Sequence, residues 1–208
     1  MPELPDLEVI REYLDPRLAG VAIEAADVRR PLVVRNLLGG QPADQLAGRR
    51  FAGARRRGKF LLLPFEDGAI MVVNPMLLGR VRLGPPLDRH RTRDALVLRL
   101  NDGQELRYHD AKDMGKIYIV SDLAQVPTFE EMGPEATYPD LNLEVFLQRL
   151  RRHTGEIKGT LTNQAFLAGI GNAYADEILW HAQIYPFRRH PTLDAEELAR
   201  LYESTWTV

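Results

Sequence analysis

The chain has 208 residues, 45% hydrophobic and 27% charged, enough to bury the core of one or two compact domains, which excludes global disorder. It contains no cysteine, which excludes a disulfide framework, a thiolate zinc site and a thiol nucleophile. Its formal net charge is −2, so a nucleic-acid partner would require positive charge concentrated locally rather than spread over the surface. Arginine does cluster, at Arg29-Arg30, Arg49-Arg50, Arg55 to Arg57 with Lys59, and Arg149 to Arg152, which reads either as a basic face or as ordinary solvated surface. Apolar runs such as Leu61 to Leu63 and Ala69 to Val73 are far too short for a bilayer crossing. The acidic, proline-rich start lacks the pattern of a secretory signal, so the expected location is the cytoplasm.

In chain order, Leu7, Ile10, Leu14 and Leu18 recur at helical spacing, with Pro5 and Asp6 where a helix start tolerates them. Pro16 is expected to kink or end that helix near Asp15-Pro16. From Val21 to about Val120 short runs of Val, Ile, Leu and Tyr alternate with turn signals at Glu66-Asp67-Gly68 and Asn101-Asp102-Gly103, predicting antiparallel strands in a two-layered sandwich. Pro127 to Pro139 reads as a connection. Beyond it, Leu143, Val145, Phe146 and Leu150 form one helical stripe and Tyr174, Ile178, Leu179 and Ala182 another, with Gly155 and Gly171 as breaks. The expected fold is α+β and multidomain: an N-terminal antiparallel β-sandwich with an N-terminal helix over 1–125, a connection over 126–141 and a helical domain over 142–208.

Three features could carry chemistry. Proline at position 2 leaves a secondary α-amine if Met1 is removed. Such an amine has an ordinary pKa of about 8, well below that of lysine, and attacks carbonyl or sugar carbons to give Schiff bases. Glu3 beside it is a candidate general acid or base. Taken alone, the first four residues favour the reading in which Pro2 serves no chemistry, because proline at position 2 is common in proteins that use it for nothing. Lys59 follows Arg55-Arg56-Arg57-Gly58 and precedes the apolar run Phe60 to Leu63; it reads as a phosphate ligand or as a solvated strand end. Gly169-Ile170-Gly171-Asn172 opens the helix of Ala173 to Ala182, and reads as a phosphate-binding nest of backbone amides or as a glycine C-cap followed by an Asn N-cap.

In this order and combination the sequence resembles the formamidopyrimidine-DNA glycosylase and endonuclease VIII family. Pro2-Glu3-Leu4-Pro5 is similar to the family's opening, and Arg57-Gly58-Lys59 with Phe60-Leu61-Leu62-Leu63 to its lysine strand. Gln164 to Glu177 is similar to its helix, two-turn, helix motif, and Gly133-Pro134-Glu135 also matches, so the likeness runs from Pro2 to about Leu201. The resemblance implies a bifunctional DNA glycosylase and abasic-site lyase acting on double-stranded damaged DNA as a monomer, without a membrane. Leu4 brings it nearer the formamidopyrimidine branch, whose substrates are oxidised purines. Pro2, Glu3 and Lys59 would be the catalytic residues, with Pro2 attacking C1′ and Glu3 moving protons. Lys59, Gly169, Gly171, Asn172 and His90 would hold phosphates.

The same resemblance puts Leu77, Lys112 and Met114 where the family fills the void left by an extruded base with Met, Arg and Phe, so the wedge here is less aromatic and an ammonium replaces a guanidinium. Asp6 replaces a glutamate, and Asn74-Pro75 replaces His-Leu. Most bacterial members continue into a four-cysteine zinc hairpin. With no cysteine the expectation is no cofactor in this chain, zinc entering only through an unseen C-terminal tail; a fragment, an unseen tail or a reduced homologue would each account for the stop at Val208, and the absence of a stop signal there favours a fragment or an unseen tail. The altered wedge motivates an alternative, a catalytically weak homologue that binds abasic or distorted duplex. An unrelated proline-nucleophile enzyme such as a tautomerase would leave the Gly169 to Asn172 segment unexplained.

Overall fold

The computed structural model describes residues 1–87, 93–137 and 141–208. The chain divides into two compact units, Met1–Glu130 and Glu131–Val208.

The first unit opens with helix α1, Leu4–Leu18. Its first turn is closed by a reciprocal capping box in which Glu3 and Asp6 each meet the other's backbone; the Glu3 N–H donates to Asp6 Oδ2 at 2.9 Å. The helix does not end at Pro16. Pro16 lies in the last turn, where few helical bonds remain to be lost, and Leu14 and Leu18 on either side of it are fully buried. Asp15, next to it, accepts the Ala54 N–H at 2.8 Å and ties the helix end to the sheet.

Nine strands follow among the described residues: β1 Ile23–Val28, β2 Val34–Asn36, β3 Arg55–Arg57, β4 Phe60–Pro64, β5 Ile70–Asn74, β6 Gly79–Gly84, β7 Asp94–Leu100, β8 Glu105–Asp110 and β9 Lys116–Val120, with a short helix α2, Pro42–Leu46, after β2. They form a four-stranded sheet, β1-β7-β8-β6, and a five-stranded sheet, β2-β9-β5-β4-β3. The pairing is antiparallel except for β2 against β9. Some eighty residues separate those two strands, so no hairpin turn dictates their direction. The core joins inward-facing residues of both sheets, among them Leu61, Leu63, Val73, Leu96, Leu98, Leu106 and Ile119, with Leu14 and Leu18 of α1. Alternation along the strands and the fully buried Phe51 and Phe65, whose rings lie 5.1 Å apart, account for the sandwich.

The second unit contains α3 Leu143–Leu150, α4 Ile157–Leu161, α5 Asn172–Ala182 and α6 Ala195–Thr207. Phe146 and Phe166 meet edge to face at its centre, and Tyr202 of α6 packs on Phe146 while donating to the Leu141 carbonyl at 2.9 Å. Part of the stretch read as a connection belongs to this unit. The Gly133 N–H donates to the Gln164 carbonyl and the Ala168 N–H to the Pro134 carbonyl, both at 2.8 Å.

Candidate active site and DNA-binding elements

Pro2 is half-buried at the start of α1, and Glu3 is the N-cap residue of that helix. Glu3 is 3% exposed, so its carboxylate is removed from bulk water beside the residue that would carry the nucleophilic nitrogen. Met1 is 45% exposed and accessible to removal, the step that converts the Pro2 nitrogen from an amide to an amine.

Lys59 differs in setting from its expected place on a strand edge. Arg57 pairs with Phe60, which leaves Gly58 and Lys59 as the two central residues of the β3–β4 hairpin. Gly58 has φ +54°, and a two-residue hairpin with positive φ at its first central position requires glycine there. Lys59 is 9% exposed, which rules out the solvated strand end. Burial depresses its ammonium below the ordinary lysine value, and the negative charge of Glu3 partly restores it. The fold thus brings Lys59 within electrostatic reach of Glu3, from a segment more than fifty residues away.

The arginine runs are largely absorbed by structure. Arg56 pairs with Glu8 at 2.7 Å, Arg29 with Asp27 at 2.7 Å, and Arg49 with Asp67. Arg149 donates to the Phe166 and Ala165 carbonyls at 3.0 and 2.6 Å. Apart from Asp27, two residues from Arg29, these partners are distant in sequence or are backbone atoms, which a charge count does not show.

Leu77, Lys112 and Met114 occupy two loops at one edge of the four-stranded sheet, 75–78 after β5 and 111–115 after β8. All three are exposed, Leu77 at 48% and Met114 at 38%. Each loop holds a non-glycine residue in the left-handed region, Met76 at φ +48° and Asp113 at φ +53°. Asn74 steadies the first by accepting the Met76 N–H at 3.2 Å. Asp110 steadies the second by accepting the Lys112 and Gly115 N–H groups at 3.0 and 2.6 Å. Sequence reasoning missed Asp110 and its neighbour Tyr108; the only signal was a polar residue two positions ahead of a wedge candidate. His90 lies outside the described residues.

In the second unit the segment before α5 is held from within. The Gln164 side chain donates to the Thr162 and Ile170 carbonyls at 2.9 and 2.8 Å and accepts the Gly169 N–H at 2.9 Å. Gly169 has φ +101°, a conformation that side-chain-bearing residues rarely adopt. The N-cap of α5 is Gly171, with φ −123°, and not Asn172, which is the first helical residue and is exposed. The asparagine is therefore left on the surface at the positive end of a three-turn helix, where a side-chain amide and backbone N–H groups can meet an anion together.

These features define a class: a helix-capped β-sandwich with a half-buried proline followed by a buried glutamate, and a buried lysine, joined to a helix, two-turn, helix unit with an anion-receptive helix start. Residues 1–117 match the model of the formamidopyrimidine-DNA glycosylase N-terminal domain, and residues 132–208 that of the formamidopyrimidine-DNA glycosylase H2TH domain. The formamidopyrimidine-DNA glycosylase of Herpetosiphon aurantiacus is 35% identical over all of this chain and 77% of its own length. That of Heliobacterium modesticaldum is 36% identical with the same coverage. The crystal structure of Lactococcus lactis formamidopyrimidine-DNA glycosylase non-covalently bound to DNA containing an abasic site superposes with a TM-score of 0.88 at 31% identity, covering 98% of this chain and 78% of that one. A complex of a variant of the same protein with Fapy-dG-containing DNA superposes equally well. The chain belongs to the formamidopyrimidine-DNA glycosylase family.

The donor set for the zinc hairpin of that family is not supplied by these residues. The chain has no cysteine, and among the described residues no three His, Asp or Glu side chains converge.

Proposed function

We propose that this protein is a DNA repair glycosylase with abasic-site lyase activity that excises oxidised purines from duplex DNA through its N-terminal proline. The observation that supports the residue assignment is that Glu3, next to Pro2 in the chain, and Lys59 are both buried, and that the Glu3 charge acts on the Lys59 ammonium. Once Met1 is gone, the unprotonated Pro2 nitrogen attacks C1′ of the damaged nucleoside; the N–C1′ bond forms as the C1′–base bond breaks, the base leaves with that bond's electron pair and takes a proton from water, and the Glu3 carboxylate accepts the proton of the Pro2 nitrogen. Glu3 protonates the sugar ring oxygen as the ring opens, leaving an iminium between Pro2 and C1′. That cation acidifies C2′; loss of its proton expels the 3′ phosphate and cuts the strand.

Lys59, with Gly169, Gly171 and Asn172, holds backbone phosphates, and Leu77, Lys112 and Met114 occupy the space of the extruded base. No helix among the described residues is long and apolar enough to cross a membrane. This reading puts the protein in the cytoplasm, with the DNA it repairs.

The test is borohydride trapping on duplexes containing an abasic site or an oxidised guanine, with the N-terminus checked by mass. A covalent adduct mapped to Pro2 supports the assignment. Measurable binding without an adduct, despite a free Pro2 amine, would instead establish the catalytically weak DNA-binding homologue.

A further inference from the structure

The two wedge loops meet at one side chain. Tyr108, on β8, is 3% exposed, and its hydroxyl lies between the backbones of Gly79 and Gly115. A methyl group built on Gly79 would fall 2.1 Å from Tyr108 Oη and 2.4 Å from the Pro75 carbonyl oxygen. One built on Gly115 would fall 1.7 Å from the same Oη and 3.0 Å from Asp110 Oδ2. No side chain fits at either position, so the hydroxyl occupies the volume between the end of the Leu77 loop and the end of the Met114 loop. It donates to the Pro75 carbonyl at the outer hydrogen-bonding limit of 3.5 Å. The strands beneath are in register, Gly79 opposite Asp110 and Val81 opposite Tyr108, so the loops spring from neighbouring points of one rigid ladder. Burial, reinforced by the Asp110 charge, raises the phenol well above its ordinary value and keeps it a donor.

We propose that Tyr108 is a positioning residue that couples the two loops, so that Leu77 on one side and Lys112 and Met114 on the other enter the base stack as a single wedge. This rests on the reading of those three residues as void-filling. A shift of either loop displaces the hydroxyl, and the other loop has no spare volume in which to ignore it. Packed interiors transmit displacement because they lack compressible space. The left-handed residues Met76 and Asp113, one in each loop, keep the exposed side chains aimed outward while the inner ends of the loops rest on the same oxygen.

The experiment is a double-mutant cycle on Leu77→Ala and Met114→Ala, run in the parent chain and in Tyr108→Phe. The duplex carries a tetrahydrofuran abasic analogue next to 2-aminopurine, whose fluorescence reports unstacking, and the observed quantity is the insertion rate. In the parent the double variant should lose about tenfold less than the product of the two single losses. In Tyr108→Phe the losses should multiply to within about twofold. Hydrogen exchange on the free protein should show segments 75–79 and 111–115 loosened together by Tyr108→Phe, with β6 and β8 still protected, which separates lost coupling from lost folding. Unchanged coupling in Tyr108→Phe, or losses that already multiply in the parent, would overturn the proposal while leaving the DNA-repair reading intact. No fluorescence change with the parent on this duplex would overturn both.

Discussion

Arg56 Nε lies 2.7 Å from Glu8 Oε2, and this pair joins the helix that carries Glu3 to the hairpin that carries Lys59. Burial alone would push the Glu8 carboxyl up, but hydrogen bonds from Arg56 and Arg11 more than offset it and hold the group below its ordinary value. A depressed carboxylate contributes stability that is present above its unfolded value and is lost as pH falls through its folded one. Arg56→Ala should therefore cost about 1 kcal/mol at neutral pH, a modest figure because Glu8 is one-third exposed, and should flatten the acid side of the stability profile. The base-release rate should fall further than DNA affinity, since the change lets the helix start drift from the hairpin. Thermal melts from acid to neutral pH, with single-turnover kinetics, check both statements.

Glu3→Gln separates binding from chemistry. The substitution keeps the side-chain length and an oxygen for the capping box, but it removes the proton that opens the sugar ring. Affinity for an abasic-analogue duplex should stay within about twofold, while base release falls by about a hundredfold or more. Parallel losses in binding and rate would show that Glu3 serves only as a helix cap.

Lys59 combines binding with a stability cost. Burial disfavours its charged form, so the folded protein binds this proton less tightly than the unfolded chain. Between its depressed value and the ordinary 10.5 the unfolded state holds more protons, and stability attributable to this group rises with pH across that window. Lys59→Met should stabilise the protein at neutral pH by about 1 kcal/mol, a gain that shrinks as pH approaches the ordinary lysine value, while weakening DNA binding and reducing its salt dependence. Melting curves at neutral and alkaline pH give the first part, and titrations at two salt concentrations the second.

How far these features were legible in the sequence depended on their range. The spacing of Leu7, Leu14 and Leu18 announced α1, while Pro16 pointed to a kink or an end; that the helix runs on to Leu18 goes with the burial of Leu18, which is a tertiary fact. Turn chemistry marked the hairpins, but it did not reveal that β2 lies parallel to β9, since that pairing joins segments about eighty residues apart. Lys59 was singled out from its arginine neighbours, whereas its burial follows from packing around the hairpin. Gly169 and Gly171 looked equivalent as letters. Only Gly169 is left-handed, and Gly171 rather than Asn172 caps the helix. The Tyr108 contact left no local trace, because it is made by a hydroxyl meeting two glycines from different loops.

Arg107 holds two buried carboxylates, donating to Asp94 at 2.8 Å and also to Glu105, while His109 reaches the other Asp94 oxygen at 3.2 Å. Arg107, Asp94 and Glu105 are all buried within the four-stranded sheet. Arg107→Met would leave two carboxylates facing each other without their cation and should cost about 3 to 5 kcal/mol. Glu105→Gln removes one charge and keeps a polar partner, so it should cost much less. Chemical denaturation of the two variants measures this difference, and near-equal losses would mean that packing rather than charge dominates the cluster.

Gly169 gives the sharpest test of the segment before α5. Its φ of +101° is costly for any residue with a Cβ, and its N–H is held by Gln164 at 2.9 Å. Gly169→Ala should destabilise the second unit by about 1 to 3 kcal/mol if the backbone keeps its conformation. If the backbone relaxes instead, the Gln164 bond is lost, the amides ahead of α5 turn away from the anion, and affinity falls for damaged and undamaged duplexes alike. Gln164→Ala should reproduce the loss of affinity with a smaller loss of stability, because it frees the same segment without imposing strain. Comparing the two variants by melting and by duplex titration separates the contributions. If Gln164→Ala left affinity for every duplex unchanged, the segment before α5 would not be a phosphate site.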